Sequence, residues 1–220
     1  AKVSICGRTQ SSLNAARDKL SAHGGTVHAA ICDVADAAAL ESYINLAMSV
    51  LGELHVLINN PSGFGRTDDE DGWRKSIDVH LMAILRGSWQ ATPMLERSGG
   101  GAIIHISTIS ALTESIRTPP YGAIKAAVNH YTVTQAKSLA PKGIRVNALS
   151  PGVVDTPIFD KMGMPPEVKS GFDEAVKELV PMNRIGTPQE IAKAALFLAS
   201  SDSSYFVGSD LVPDGGVTQI

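Results

Sequence analysis

Tyr121 and Lys125 stand four residues apart in the stretch PPYGAIKAAV, residues 119–128. On a helix that spacing puts both side chains on one face, and the two prolines favour the start of a helix there. A free phenol titrates near pH 10. A neighbouring ammonium and the positive end of a helix both favour the phenolate. The pair therefore reads as a proton donor and acceptor usable near neutral pH. A solvated amphipathic helix would carry the same pair by chance, so the spacing needs support from its surroundings. Two further polar clusters supply it: the hydroxyl run STIS (107–110) and the stretch INN (58–60), each closing an apolar run.

Those clusters need elements to hold them in place. Short apolar runs alternate with longer amphipathic ones along the chain. KVSIC (2–6), TVHAAICDV (26–34), LHVLINN (54–60), GAIIHIS (101–107) and IRVNALS (144–150) read as strands, and SDLVPDGG (209–216) as a short strand and turn. Residues 12–24, 36–52, 71–96, 121–140 and 187–200 read as helices, with Asp36 and Thr187 as caps and Gly24 and Gly52 as stops. The span 152–187, rich in Pro, Met and Gly, reads as a loop with a short helix. Strand and helix in alternation predict an α/β fold: a doubly wound parallel sheet in three layers, α/β/α, in one domain. Such sheets bind ligands beyond the carboxyl ends of their strands. Gly7-Arg8, Asp33, Asn59-Asn60 and Ser107-Thr108 all fall at strand ends.

Composition narrows the class. The 220 residues are 44% hydrophobic and 19% charged, with a net charge of −3, as in ordinary globular proteins. Mild acidity argues against nucleic acid and against an anionic membrane surface as partners. No apolar run approaches the roughly 18–20 residues of a membrane span. Cys6 and Cys32 lie in apolar runs and read as reduced, buried thiols, which predicts a reducing, cytoplasmic setting. The six histidines are scattered, and no metal site is expected. His55, His105 and His130 read as structural or exposed, and Trp73 and Trp89 as packing residues.

The order STIS, YGAIK, RVNALSPGVVDTP (145–157), RIGTPQEIAKAALFLAS (184–200) and DGG (214–216) resembles the short-chain dehydrogenases/reductases over essentially the whole chain. The resemblance implies a Rossmann-like fold and NADP(H)-dependent interconversion of a carbonyl and a secondary alcohol, as in 3-oxoacyl reductases and similar enzymes. It implies a small-molecule substrate and a homodimer or homotetramer. Tyr121 is the implied general acid/base. Lys125 would lower the phenol's pKa and hold the nicotinamide ribose, and Thr108 would bind the substrate oxygen. Asp33 and Val34 are implied at the adenine, Asn59 along the cofactor, and Val154 and Thr156 at the nicotinamide carboxamide. Arg8 stands where a basic residue meets a 2′-phosphate. The substrate would be selected by 152–187, with Met162 and Met164 as candidate lid residues.

The chain departs from the family pattern at four places. Thr108 replaces a serine. His80, in DVHL, stands where an asparagine holds a proton-relay water. NNPSG (59–63) is one residue longer than the usual NNAG and is similar to enoyl-thioester-reducing branches. The family's first strand and Gly-rich turn have no counterpart, although its sheet order, 3-2-1-4-5-6-7, makes that strand central. The resemblance therefore implies about 25–35 further residues before Ala1, enough for a strand, a turn and a helix. The departures keep two alternatives open: a non-catalytic NADP-binding regulatory relative, and an enoyl-thioester reductase.

Overall fold

The computed structural model describes residues 1–63, 65, 67–115, 117–156 and 166–219, apart from the side chains of 166–170, 172 and 173. Met162 and Met164 lie outside the described residues. Strands β1 (Val3–Gly7) and β2 (Val27–Ile31) pair in parallel, with α1 (Gln10–Ser21) as their crossover. Helix α2 (Ala37–Leu51) starts where the Asp36 carboxylate accepts hydrogen bonds from the Ala38 and Ala39 amides, at 2.8 and 3.0 Å. It ends at Gly52, whose φ of 83° suits glycine. Between these stops it buries Leu40, Ile44, Ala47 and Leu51, a stripe at helical spacing.

The second half of the sheet is β3 (Val56–Asn59), β4 (Gly101–Ile106), β5 (Ile144–Leu149) and β6 (Asp210–Leu211), all parallel and adjacent in that order. Alternation along β4 explains the layers. Ile103 packs with Ala91, Leu95, Ala136 and Leu139 on one face. Its neighbour Ile104 points the other way and packs with Leu149 and Leu198. The helices behind those contacts are α4 (Ala83–Arg97) and α5 (Pro119–Leu139) on one side and α7 (Pro188–Ala199) on the other. This is the three-layer α/β/α arrangement expected from the sequence. A capping box between Thr187 and Glu190 fixes the start of α7.

Two elements differ from expectation. The span 71–96 is not a uniform helix: α3 (Glu70–Ser76) runs into a π-helical turn, Ile77–Met82, before α4. A π turn widens the spiral by one residue and so re-aims the side chains on it. The span 152–187 contains a longer helix than expected, α6 (Pro166–Leu179), anchored by buried Val176 and Val180. The terminal strand is short, as expected, at two residues. The packing role expected for Trp89 is also corrected: its side chain lies on the outer face of α4, 57% exposed.

The sheet is in two pieces. Among the described residues β1 bonds only to β2, and β3 only to β4. No ladder joins β1 to β3 among the described residues. Ile58, at an inner position of β3, is 47% exposed.

Candidate active site

Because pairing within each piece is parallel, the carboxyl ends of β3 to β6 fall on one edge, and those of β1 and β2 fall together likewise. After β4 the chain enters Ser107 and Thr108 and turns through a short 3-10 segment, Ile109–Ala111. The Thr108 hydroxyl oxygen accepts from the Ser110 amide at 3.3 Å, which holds the side chain at the strand end. Helix α5 then brings Tyr121 back to the same edge, where Thr108 lies near enough to act on its phenol. The π turn delivers His80, 1% exposed, against the same phenol. The two rings meet edge-on, with centroids 5.0 Å apart and planes at 76°. Tyr121, Lys125, Thr108 and His80 are thus brought together from three separate parts of the chain.

The electrostatics correct the expectation for Tyr121. Burial pushes the phenol above its ordinary value, and Thr108 acts in the opposite direction. Lys125 does not offset this. Its Nζ donates to the Ile106 carbonyl at 2.6 Å and lies 5.9 Å from the centre of the Tyr121 ring. Lys125 is itself 2% exposed, and burial lowers its ammonium to about 8. A charge held on a neighbouring carbonyl stabilises that carbonyl first. The i, i+4 spacing put both groups on one face but could not say where the flexible lysine head points.

His80 stays neutral. Burial lowers its pKa to about 4, helped by the nearby Lys125 charge and opposed by the adjacent backbone of Gly63 and Pro61. These two residues belong to NNPSG, so that stretch backs the imidazole.

Asn59 turns its side chain inward. The residue is 8% exposed, and its amide donates to Ser88 Oγ and His105 Nδ1, both at 3.1 Å. His105 Nε2 in turn meets Gln135 Oε1 at 3.0 Å. This chain ties β3, α4, β4 and α5 together immediately behind the site. The sequence held a faint signal for it: His105 is the only polar position within the apolar run AIIHI.

The remaining expected contacts spread along the edge. Arg8 and Asp33 are exposed just beyond β1 and β2, and Asp33 accepts from the Ala35 amide at 3.1 Å. Val34 packs on the Cys32, Leu40 and Ile44 cluster. Val154 bridges to Gly186, and Thr156 is half-buried beyond it. Cys6 and Cys32 are free thiols. Among the described residues no group of His, Cys, Asp or Glu could hold a metal, and no helix is long and apolar enough to cross a membrane.

A tyrosine, a lysine and a hydroxyl thus converge at the carboxyl edge of a parallel sheet, the edge at which such α/β folds bind their ligands. Residues 1–218 match a family model described as enoyl-(acyl carrier protein) reductase. The chain is 32% identical over 207 residues to cyclohexanol dehydrogenase of Acinetobacter sp. (strain SE19), covering 91% of this chain and 78% of that one. It is 31% identical over 205 residues to 7alpha-hydroxysteroid dehydrogenase of Escherichia coli (strain K12), covering 92% and 78%. Among solved structures, L-sorbose reductase of Gluconobacter frateurii, complexed with NADPH and L-sorbose, superposes with a TM-score of 0.93 at 26% identity, covering all of this chain and 88% of that one. The chain belongs to the short-chain dehydrogenase/reductase family. It is an oxidoreductase of the CH–OH/C=O class that uses a nicotinamide cofactor.

Proposed function

We propose that the protein reduces a ketone to a secondary alcohol, and catalyses the reverse, with NADP(H) preferred over NAD(H). The observation that carries this is the convergence of Tyr121, Thr108 and Lys125 after β4 and on α5, with the Lys125 Nζ 5.9 Å from the centre of the Tyr121 ring. The edge suits a dinucleotide. Arg8 is an exposed cation with no ion pair among the described residues, just past β1, where a 2′-phosphate would meet it. Asp33 and Val34 stand at the neighbouring strand end for adenine, Val154 and Thr156 past β5 for the carboxamide, and Lys125 keeps further N–H donors for the ribose.

When bound, the nicotinamide supplies or takes the hydride. The chain's own residues do the rest. Thr108 holds the substrate oxygen by its hydroxyl. Tyr121 gives that oxygen a proton in reduction and takes one in oxidation. A phenol raised by burial is protonated at neutral pH, which suits the reductive direction. The Lys125 ammonium, on leaving Ile106 O, can stabilise the phenolate left behind. Holding the carbonyl carbon about 3–3.5 Å from the hydride donor supplies much of the rate.

Its relatives' names span alicyclic, steroid and sugar substrates, which supports a hydroxylated or keto ring compound; 3-oxoacyl thioesters remain within the same chemistry. The enoyl-thioester reading rests on NNPSG and on the description of the matching family model. A cytoplasmic homo-oligomer is the accompanying proposal, supported by exposed Trp89 and Val133 on α4 and α5. The test is turnover of cyclohexanone, a 7-keto steroid, a keto sugar, a 3-oxoacyl thioester and a 2-enoyl thioester, each with NADPH and NADH. Ketone reduction without enoyl reduction supports the proposal. Enoyl reduction alone overturns it, and no turnover with measurable NADPH binding favours a regulatory relative.

A further inference from the structure

The π turn puts an aromatic ring where the reading of Tyr121 needs a wall. We propose that His80 is a positioning residue: its imidazole edge fixes the plane of the Tyr121 ring toward Thr108 and keeps water off the phenol. The proposal rests on Tyr121 being the acid/base of the preceding section and goes further, assigning to a ring wall what an amide could not do by shape.

The geometry supports a wall rather than a titrating partner. The rings meet at 5.0 Å and 76°, a close edge contact that resists rotation of either. His80 is almost fully enclosed. It is backed by Pro61 and Gly63, and the Cβ that a side chain at Gly63 would add meets Val79 at 3.2 Å, so the backing loop lies tight on the π turn. The groups that act on Tyr121 from the elements around it are Thr108 after β4, Lys125 on α5 and His80 itself, among the described residues. Burial is the largest influence on the phenol, and the imidazole is part of that burial.

Removing the ring should therefore let water in and lower the phenol's titration midpoint. His80→Phe keeps the edge contact but not the polarity; His80→Asn keeps polarity but not the ring. The readout is the pH titration of Tyr121 followed by NMR of tyrosine labelled with 13C at Cζ, its signal identified by its loss in Tyr121→Phe. Cyclohexanol oxidation is followed alongside. His80→Ala and His80→Asn are expected to move the midpoint down by at least about half a pH unit, and His80→Phe to leave it at the wild-type position. The kcat for cyclohexanol should fall roughly tenfold or more in Ala and Asn, with cofactor Kd unchanged, and recover in Phe. An unmoved midpoint in Asn, or a Phe variant shifted as far as Asn, overturns the proposal whether or not Ala folds. Full activity of Tyr121→Phe would instead overturn the acid/base reading, and the titration distinguishes the two failures.

Discussion

Acid should destabilise this protein through two histidines, with the loss beginning above the ordinary carboxylate range. His105 is fully buried, and burial depresses it to about 4. Its hydrogen bonds explain why a second proton has no place. Nε2 donates to Gln135 Oε1, which leaves Nδ1 to accept from Asn59 Nδ2. An imidazolium would turn Nδ1 into a donor facing a donor. His80 is likewise depressed to about 4. Both folded values lie below the unfolded value near 6.5, so the unfolded chain binds more protons between those limits. Their stabilising effect is complete above pH 6.5 and is lost progressively as pH falls toward 4. At pH 5 linkage gives a loss of roughly 2 kcal/mol per histidine, about 4 kcal/mol for both. That is a large part of a typical total of ~5–15 kcal/mol. Urea unfolding at pH 7.5 and pH 5 measures it, in wild type and in His105→Gln, whose amide can still meet Asn59 and Gln135. The variant should show about half the wild-type loss. A wild-type loss below about 1 kcal/mol, or an equal loss in the variant, would refute the reasoning.

Tyr121→Phe should lower kcat by about 10²–10⁴ and leave cofactor Kd within a few-fold, as expected of a lost general acid; steady-state kinetics and cofactor fluorescence check both halves. Thr108→Ser should be tolerated and Thr108→Ala should be severe; unchanged kcat/KM in the alanine variant would mean that Thr108 only packs at its strand end. Arg8→Ala should weaken NADPH binding roughly ten- to a hundredfold and leave NADH unaffected, and equal losses for both would remove Arg8 from the phosphate. Gly100→Ala should cost about 2–4 kcal/mol, read as a lower Tm. Its φ of 114° strains any side chain, and the added Cβ would sit 2.4 Å from the Gly143 carbonyl oxygen.

Much of this architecture is local in origin. Alternating apolar runs, the Asp36 cap, the Gly52 stop and the Thr187–Glu190 box are written in neighbouring residues, so strands, helices and their parallel pairing could be read without coordinates. The same holds for Tyr121, Lys125 and Thr108, because strand ends in a parallel sheet share an edge whatever the side chains. The sequence could not show where flexible or buried polar groups point. Lys125 reaches Ile106 rather than the phenol, and Asn59 turns into the core toward Ser88 and His105. Those choices depend on which carbonyls and amides lie within about 3 Å once distant elements have packed. The direction of the Tyr121 shift has the same cause: spacing along a helix signals a nearby charge, but only the packed structure decides how much water is excluded, and here exclusion wins. The π turn is decided at that level too. It aims His80 at Tyr121, a contact between residues 41 positions apart that no period in the chain encodes.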